Sequence, residues 1–228
     1  MTLVERAHVA HMFAYHAPMI VLSTGGGKTV VFSQVTLDAI TMGQVVWIIA
    51  HRQELIAQAS RTLTGFGIKH GIIRAGEPQQ LHLPVQVGSV QTVVRRLDKL
   101  PPPDLIIVDE CQHSTAATYK KIFAAFPKAT VLGVTATPCR LNGAGLGEVF
   151  DHMILGPTTQ WLTDQGYLKK VKYYAPPQKA DTSNLPVSMG DYRIKDMSEV
   201  MDDDVVTGDA VSHYRRICDG VPMLTFCV

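Results

Sequence analysis

The sequence has no apolar run of about 18 residues or more, the length a membrane-spanning helix requires, so no membrane span is expected. It has no charged-then-apolar signal segment at its start. Its four cysteines, Cys111, Cys139, Cys218 and Cys227, show no C-x-x-C spacing. That argues against a zinc ribbon or a disulfide framework and fits a reducing, cytoplasmic setting. It also lacks a strong charge of either sign. With a net charge of +1 there is no global basic field, so any contact with a polyanion must come from a local patch. No internal repeat is visible. What is present is 228 residues, 46% hydrophobic and 18% charged, ample for a buried core and unlike a disordered chain.

One stretch organises the rest: Leu22-Ser23-Thr24-Gly25-Gly26-Gly27-Lys28-Thr29. It follows the apolar run Met19–Leu22 and precedes an apolar-periodic segment. Strand, glycine loop, helix is the context of a phosphate-binding loop. The glycines let successive N–H groups converge on one point, and the helix adds its positive N-terminal end. Lys28 is placed for the β- and γ-phosphates of a nucleotide, and the Thr29 hydroxyl for Mg²⁺. The strict pattern G-x-x-x-x-G-K-S/T asks for glycine at position 22, where this chain has Leu22.

The flanking segments read as alternating strands and helices. Residues 1–17 suit an amphipathic helix; His8 and His11 have the spacing of a metal pair but no third ligand nearby. A helix is expected from Val30 to Met42, ended by Gly43. The run Val45–Ala50 reads as a strand buried on both faces, followed by a helix from His51 through Leu63. Further strands are expected at Ile68–Arg74, Val85–Val90, Leu105–Val108, Thr130–Val134, Met153–Leu155 and Lys170–Tyr174. Helices are expected after Gln91-Thr92, from Thr115 to Phe126 and from Thr158 to Gln165. The pattern predicts a doubly wound parallel sheet, in which ligands bind beyond the carboxyl ends of strands.

Residues 176–204 change character, with Pro176-Pro177, Pro186 and the acidic run Asp202–Asp204. They read as a linker. A helix over Asp209–Cys218 and a final apolar run, Met223–Val228, read as the opening of a second, truncated α/β domain. The expected division is therefore 1–177, a linker over 178–207, and 208–228.

Asp109-Glu110 closes the apolar strand Leu105–Val108. A carboxylate there suits the Mg²⁺ shell, and the next one suits an attacking water. Together with the lysine loop this makes an ATP or GTP site the expected reading.

Five stretches in order resemble motifs I, Ia, Ib, II and III of superfamily 2 DEAD/DEAH-box helicases, most closely the RadD-like branch. They are Thr24–Thr29, Ala50-His51-Arg52-Gln53-Glu54-Leu55, Gly88-Ser89-Val90-Gln91-Thr92, Asp109-Glu110-Cys111-Gln112-His113 and Thr135-Ala136-Thr137-Pro138. The resemblance implies a RecA-like P-loop lobe over roughly residues 20–177. It implies that Thr24, Gly25, Gly26, Gly27, Lys28 and Thr29 cradle ATP. It implies that Thr29 and Asp109 hold Mg²⁺, and that Glu110, Lys28 and Asp109 are catalytic. Gln112, Thr135 and Thr137 would couple nucleotide state to movement. His51, Arg52, Gly88, Ser89, Gln91 and Thr92 would meet a nucleic-acid backbone, DNA in preference to RNA. Taken alone, Arg52 reads as a surface charge, and Ser89 and Thr92 as helix caps.

The fourth residue of motif II is Gln112, not histidine, with His113 next; it can hydrogen-bond toward motif III but carries no titratable proton. No adenine-reading glutamine motif is evident in residues 1–17, and motifs IV to VI with their arginine finger are missing. Such a finger is worth ~10³–10⁵ in rate, or about 4–7 kcal/mol. The expectation is Mg-ATP binding with slow hydrolysis and no unwinding by this chain alone. Two alternatives share the site: a non-catalytic ATP- and DNA-binding module, and the motor segment of a restriction-type translocase.

Overall fold

The structure, a computed structural model, describes residues 15–74, 80–140, 143–174, 187–188, 191–192 and 210–224. The expected helix over 1–17 lies almost wholly outside them. So do most of the linker and residues 225–228 of the last apolar run. The chain divides into two compact units, Met1–Lys169 and Lys170–Val228, upstream of the boundary expected at 177.

The first unit is built on seven strands: β1 (Pro18–Val21), β2 (Val46–Ala50), β3 (Gly71–Ile73), β4 (Val85–Ser89), β5 (Leu105–Asp109), β6 (Thr130–Thr135) and β7 (His152–Leu155). They lie in the order β3-β4-β2-β5-β6-β1-β7, and every pairing is parallel. The helices are α1 (Lys28–Thr41), α2 (Gln53–Gly65), α3 (Val90–Val93), α4 (Ala117–Ala125) and α5 (Thr159–Asp164).

The strands are apolar throughout because both faces are covered. In β2, Val46, Ile48 and Ala50 join one cluster with Phe32, Val35 and Ala39 of α1 and Ile56, Ala59 and Leu63 of α2. Trp47 and Ile49 join the other, with Tyr119 and Ile122 of α4. Each such aliphatic side chain contributes roughly 1.5–3 kcal/mol on burial. The small residue in β6 is set by packing: a Cβ on Gly133 would lie 2.5 Å from the Phe150 ring and 2.9 Å from Cys111 Sγ.

Parallel pairing places every strand's carboxyl end on one edge of the sheet. Leu22, His51, Ser89, Asp109 and Thr135 all fall at that edge. The lysine loop leaves β1 and the carboxylates leave β5, with β6 between them. At about 4.8 Å per strand the separation is near 10 Å, room for a phosphate group.

One expected strand is absent. Residues Lys170–Tyr174 form no ladder, and Tyr173 is 91% exposed. The alternation of Lys170 and Lys172 with Val171 and Tyr173 mimics a half-buried strand, but among the described residues no neighbouring strand supplies hydrogen bonds. In the second unit, β8 (Val187–Ser188) and β9 (Asp191–Tyr192) form an antiparallel pair, and α6 spans Ala210–Cys218. The apolar run expected as a buried strand begins at Met223 and Leu224, which are exposed and outside any strand. Among the described residues, no helix is long and apolar enough to cross a membrane.

Candidate nucleotide site

The loop between β1 and α1 is shaped by its two ends. Gly27, at the start of α1, has φ +89°, a conformation that glycine adopts without strain. Gly26 donates its N–H to the Ser23 carbonyl at 2.9 Å, and a Cβ there would come within 3.0 Å of the Leu22 side chain. Leu22 is fully buried in the core, and its N–H donates to the Thr135 carbonyl at 2.9 Å. Position 22, just beyond β1, is therefore tied to the end of β6 and forms an apolar anchor under the loop. A glycine there would leave a hole.

A cleft of about 410 Å³ opens over this loop, lined by Thr24, Gly25, Gly27, Lys28, Thr29, Asp109 and Glu110. Leu55 and Gln58 of α2 form its far wall. The Lys28 ammonium lies 4.0 Å from Glu110 Oε1. Glu110 has φ +52°, the one non-glycine residue with positive φ among the described residues. Its N–H donates to Asp109 Oδ1 at 3.0 Å. At this left-handed position the Glu110 carboxylate stands beside the Lys28 ammonium. Backbone strain of this kind is commonly stored at functional sites.

A chain of hydrogen bonds leads on from Glu110. Gln112 Nε2 donates to Glu110 Oε2 at 3.0 Å, and the Thr135 hydroxyl donates to Gln112 Oε1 at 2.6 Å. Thr135 Oγ1 in turn accepts the Thr137 N–H at 3.0 Å. The amide of Gln112 thus uses both its donor and its acceptor, which a neutral histidine could do only in one tautomer.

Burial and the neighbouring Glu110 carboxylate push the Asp109 carboxyl above its ordinary range; the Lys28 charge and the Glu110 N–H oppose this. A divalent cation would relieve that repulsion. The oxygen donors at hand, the Thr29 hydroxyl and the Asp109 carboxylate, suit Mg²⁺, which keeps several waters and takes few protein ligands. Cys111, two residues on, is fully buried, and burial pushes its thiol well above the ordinary value. It packs; it is no nucleophile.

The residues expected to meet nucleic acid fall into two groups. His51 and Arg52 lie beside the carboxylates: the His51 ring centroid is 4.3 Å from that of His113, with the planes tilted by 51°, and Arg52 Nε donates to His51 Nε2 at 3.2 Å. Arg52 is exposed at the start of α2. The Gly88–Thr92 segment is occupied differently. Ser89 caps α3 by accepting the Thr92 N–H at 3.2 Å, and its hydroxyl donates to Thr92 Oγ1 at 2.9 Å. A Cβ on Gly88 would press on Ile73 and Val93. Of this group only Gln91 is exposed.

Sequence reasoning placed a helix over Thr158–Gln165 but missed its contact with the other side of the loop. Thr159 Oγ1 of α5 donates to Ser23 Oγ at 3.0 Å. Leu168 packs so closely that a Cβ on Gly25 would lie 2.8 Å from it. No local pattern announces contacts separated by more than a hundred residues.

The chain is similar to known proteins in sequence and in fold. Over 202 residues the chain is 34% identical to a "51.5 kDa protein" of a Lactococcus phage (isolate 7-9), covering 89% of this chain and 42% of that protein. Over 198 residues it is 31% identical to the "Putative ATP-dependent helicase IRC3" of Saccharomyces cerevisiae, covering 79% of this chain and 29% of that protein. The chain thus spans less than half the length of either relative. Among solved structures, the Hef helicase domain of Pyrococcus furiosus superposes with a TM-score of 0.58 at 16% identity, over 75% of this chain and 40% of that one. That likeness establishes the RecA-like helicase fold. Residues 9–140, well over half of the chain, match the family described as "Type III restriction enzyme, res subunit", and the chain belongs to that family.

Proposed function

We propose that this chain is the ATP-binding lobe of a nucleic-acid-dependent ATPase of helicase or translocase type. The observation that carries this reading is the continuous path Lys28–Glu110–Gln112–Thr135–Thr137 at the mouth of the glycine loop. The loop N–H groups and the α1 N-terminus hold the phosphates. Lys28 neutralises the terminal phosphate. Glu110, held by Gln112, orients the attacking water and takes its proton. Thr29 and Asp109 would hold Mg²⁺, which would supply neutralisation of the phosphate charge. Gln112 and Thr135 carry a change at Glu110 to the exposed Thr137. Arg52, exposed beside His51, contacts a nucleic-acid phosphate, DNA by preference; such contacts position the strand without reading its sequence.

The family's description also favours a second reading, the motor part of a restriction-type translocase, which would use the same site.

The test is binding of a fluorescent ATP analogue, with and without Mg²⁺. Wild type should bind in a Mg²⁺-dependent manner and Lys28→Ala should not. Equal binding by the two proteins overturns the assignment. ATP turnover measured with and without single-stranded DNA then separates a motor lobe, which DNA stimulates, from a passive binding module.

A further inference from the structure

The glycine loop has two flanks. Lys28, Asp109 and Glu110 stand on one. On the other, the α5 segment is fastened to the loop through Thr159–Ser23 and Leu168–Gly25. A triphosphate with its γ end at Lys28 and Glu110 would extend away from β5, and in the sheet β1 lies between that side and β7, which α5 follows.

That flank carries two large exposed aromatics. Trp161 is 47% exposed and Tyr167 is 72% exposed. Their rings are stacked, with centroids 6.1 Å apart and planes 21° from parallel. The turn that brings them together is tightly specified. Leu162 is buried, its carbonyl accepts the N–H groups of both Tyr167 and Leu168, and Gly166 makes the turn at φ +78°. Leu168 faces the loop while its neighbour Tyr167 stays in water beside Trp161. Of this segment Leu162 is buried and Leu168 half-buried, while the two aromatics lie outside the core.

We propose that Trp161 and Tyr167 form the nucleobase platform of the ATP site, on whose π-face the purine of the loop-bound nucleotide stacks. The proposal rests on the reading of the loop as a triphosphate site. Stacking on an aromatic face needs no base-edge hydrogen bonds and tolerates different bases.

The chain's two tryptophans make the test direct. Trp47 is fully buried, so Trp161 is the accessible reporter. Mg-ATP should quench the exposed tryptophan fluorescence, and Mg-tripolyphosphate should not. By calorimetry, Trp161→Ala should bind ATP about 5- to 150-fold more weakly, the loss expected for one stacking partner of a base. Tripolyphosphate binding should be unchanged in that variant, and Trp161→Phe should recover most of the ATP affinity.

Equal loss of both ligands in Trp161→Ala would show a structural role and overturn the proposal. So would unchanged ATP affinity, or quenching by a single-stranded oligonucleotide but not by ATP. Failure of the underlying loop reading looks different: wild type, or Lys28→Ala, would then bind ATP and tripolyphosphate in a way that does not depend on Lys28.

Discussion

The Thr135 hydroxyl donates to Gln112 Oε1 across 2.6 Å, joining the end of β6 to the residue that holds Glu110. Thr135 is fully buried, and the same oxygen accepts the Thr137 N–H. Replacing it with valine keeps the shape and strands two partners. We expect Thr135→Val to lose about 1–3 kcal/mol of stability. In a chain of this size each kcal/mol lowers the thermal midpoint by about 2–4 °C. Thr135→Ser keeps the hydroxyl and should melt well above the valine variant. If the two melt together, the hydrogen bond is not what holds this junction.

Glu110 combines a strained backbone with the carboxylate nearest Lys28. The two properties separate by substitution. Left-handed conformation costs a non-glycine residue roughly 1–2 kcal/mol, so Glu110→Gly should unfold at higher denaturant than Glu110→Ala. Glu110→Gln keeps the side-chain length and should still bind Mg-ATP, while turnover falls by about 10²–10⁴-fold. A glutamine variant that turns over normally would place the catalytic base elsewhere.

His51 supplies a pH dependence. Burial, then His113 and Arg52, lower its pKa from the ordinary 6.5, and Glu110 opposes them. The unfolded chain therefore binds a proton at this position more readily than the native one does. The stabilising effect of a neutral His51 is complete above pH 6.5 and is lost as the pH falls through the lower folded value. Asp109, whose pKa is raised, runs the other way: its contribution is lost as pH rises above its ordinary 3.8 through the folded value. The difference between wild type and His51→Asn isolates the histidine. Urea midpoints at pH 7.5 and 5.5 should fall less in the variant. Equal slopes would mean that the ring titrates freely.

The parallel sheet was legible because its strands are apolar on both faces, and the loop because glycine and lysine in that order have few other uses. Leu22 looked like a departure from a pattern. It is the buried residue just beyond β1, which only its hydrogen bond to Thr135 at the end of β6 explains. At Ser89 and Thr92 the local capping reading describes the hydrogen bonds found, while residue type alone also suited phosphate contact. The false strand at Lys170–Tyr174 shows the limit of alternation, which records amphipathicity but not the presence of a partner strand. The left-handed Glu110 and the docking of α5 on the glycine loop left no trace in local sequence, although the helix itself was expected over Thr158–Gln165. One is a backbone angle, and the other depends on contacts across most of the lobe.

Arg52 and Ser89 give a contrasting pair at the same sheet edge. Arg52 is exposed at the start of α2, and its guanidinium retains donors beyond the one directed at His51. A phosphate contact there should weaken equally on every sequence when the charge is removed. Arg52→Ala should therefore reduce single-stranded DNA affinity similarly for homopolymer and mixed oligonucleotides. It should also flatten the slope of log K against log salt by about 0.7, the value for one phosphate on a single strand. Ser89 is buried and engaged with Thr92. Ser89→Ala should cost about 1 kcal/mol of stability as a lost cap and leave the salt slope alone. Fluorescence anisotropy between ~50 and 200 mM salt reads both variants. A slope unchanged in Arg52→Ala, or reduced in Ser89→Ala, would exchange the two residues' roles.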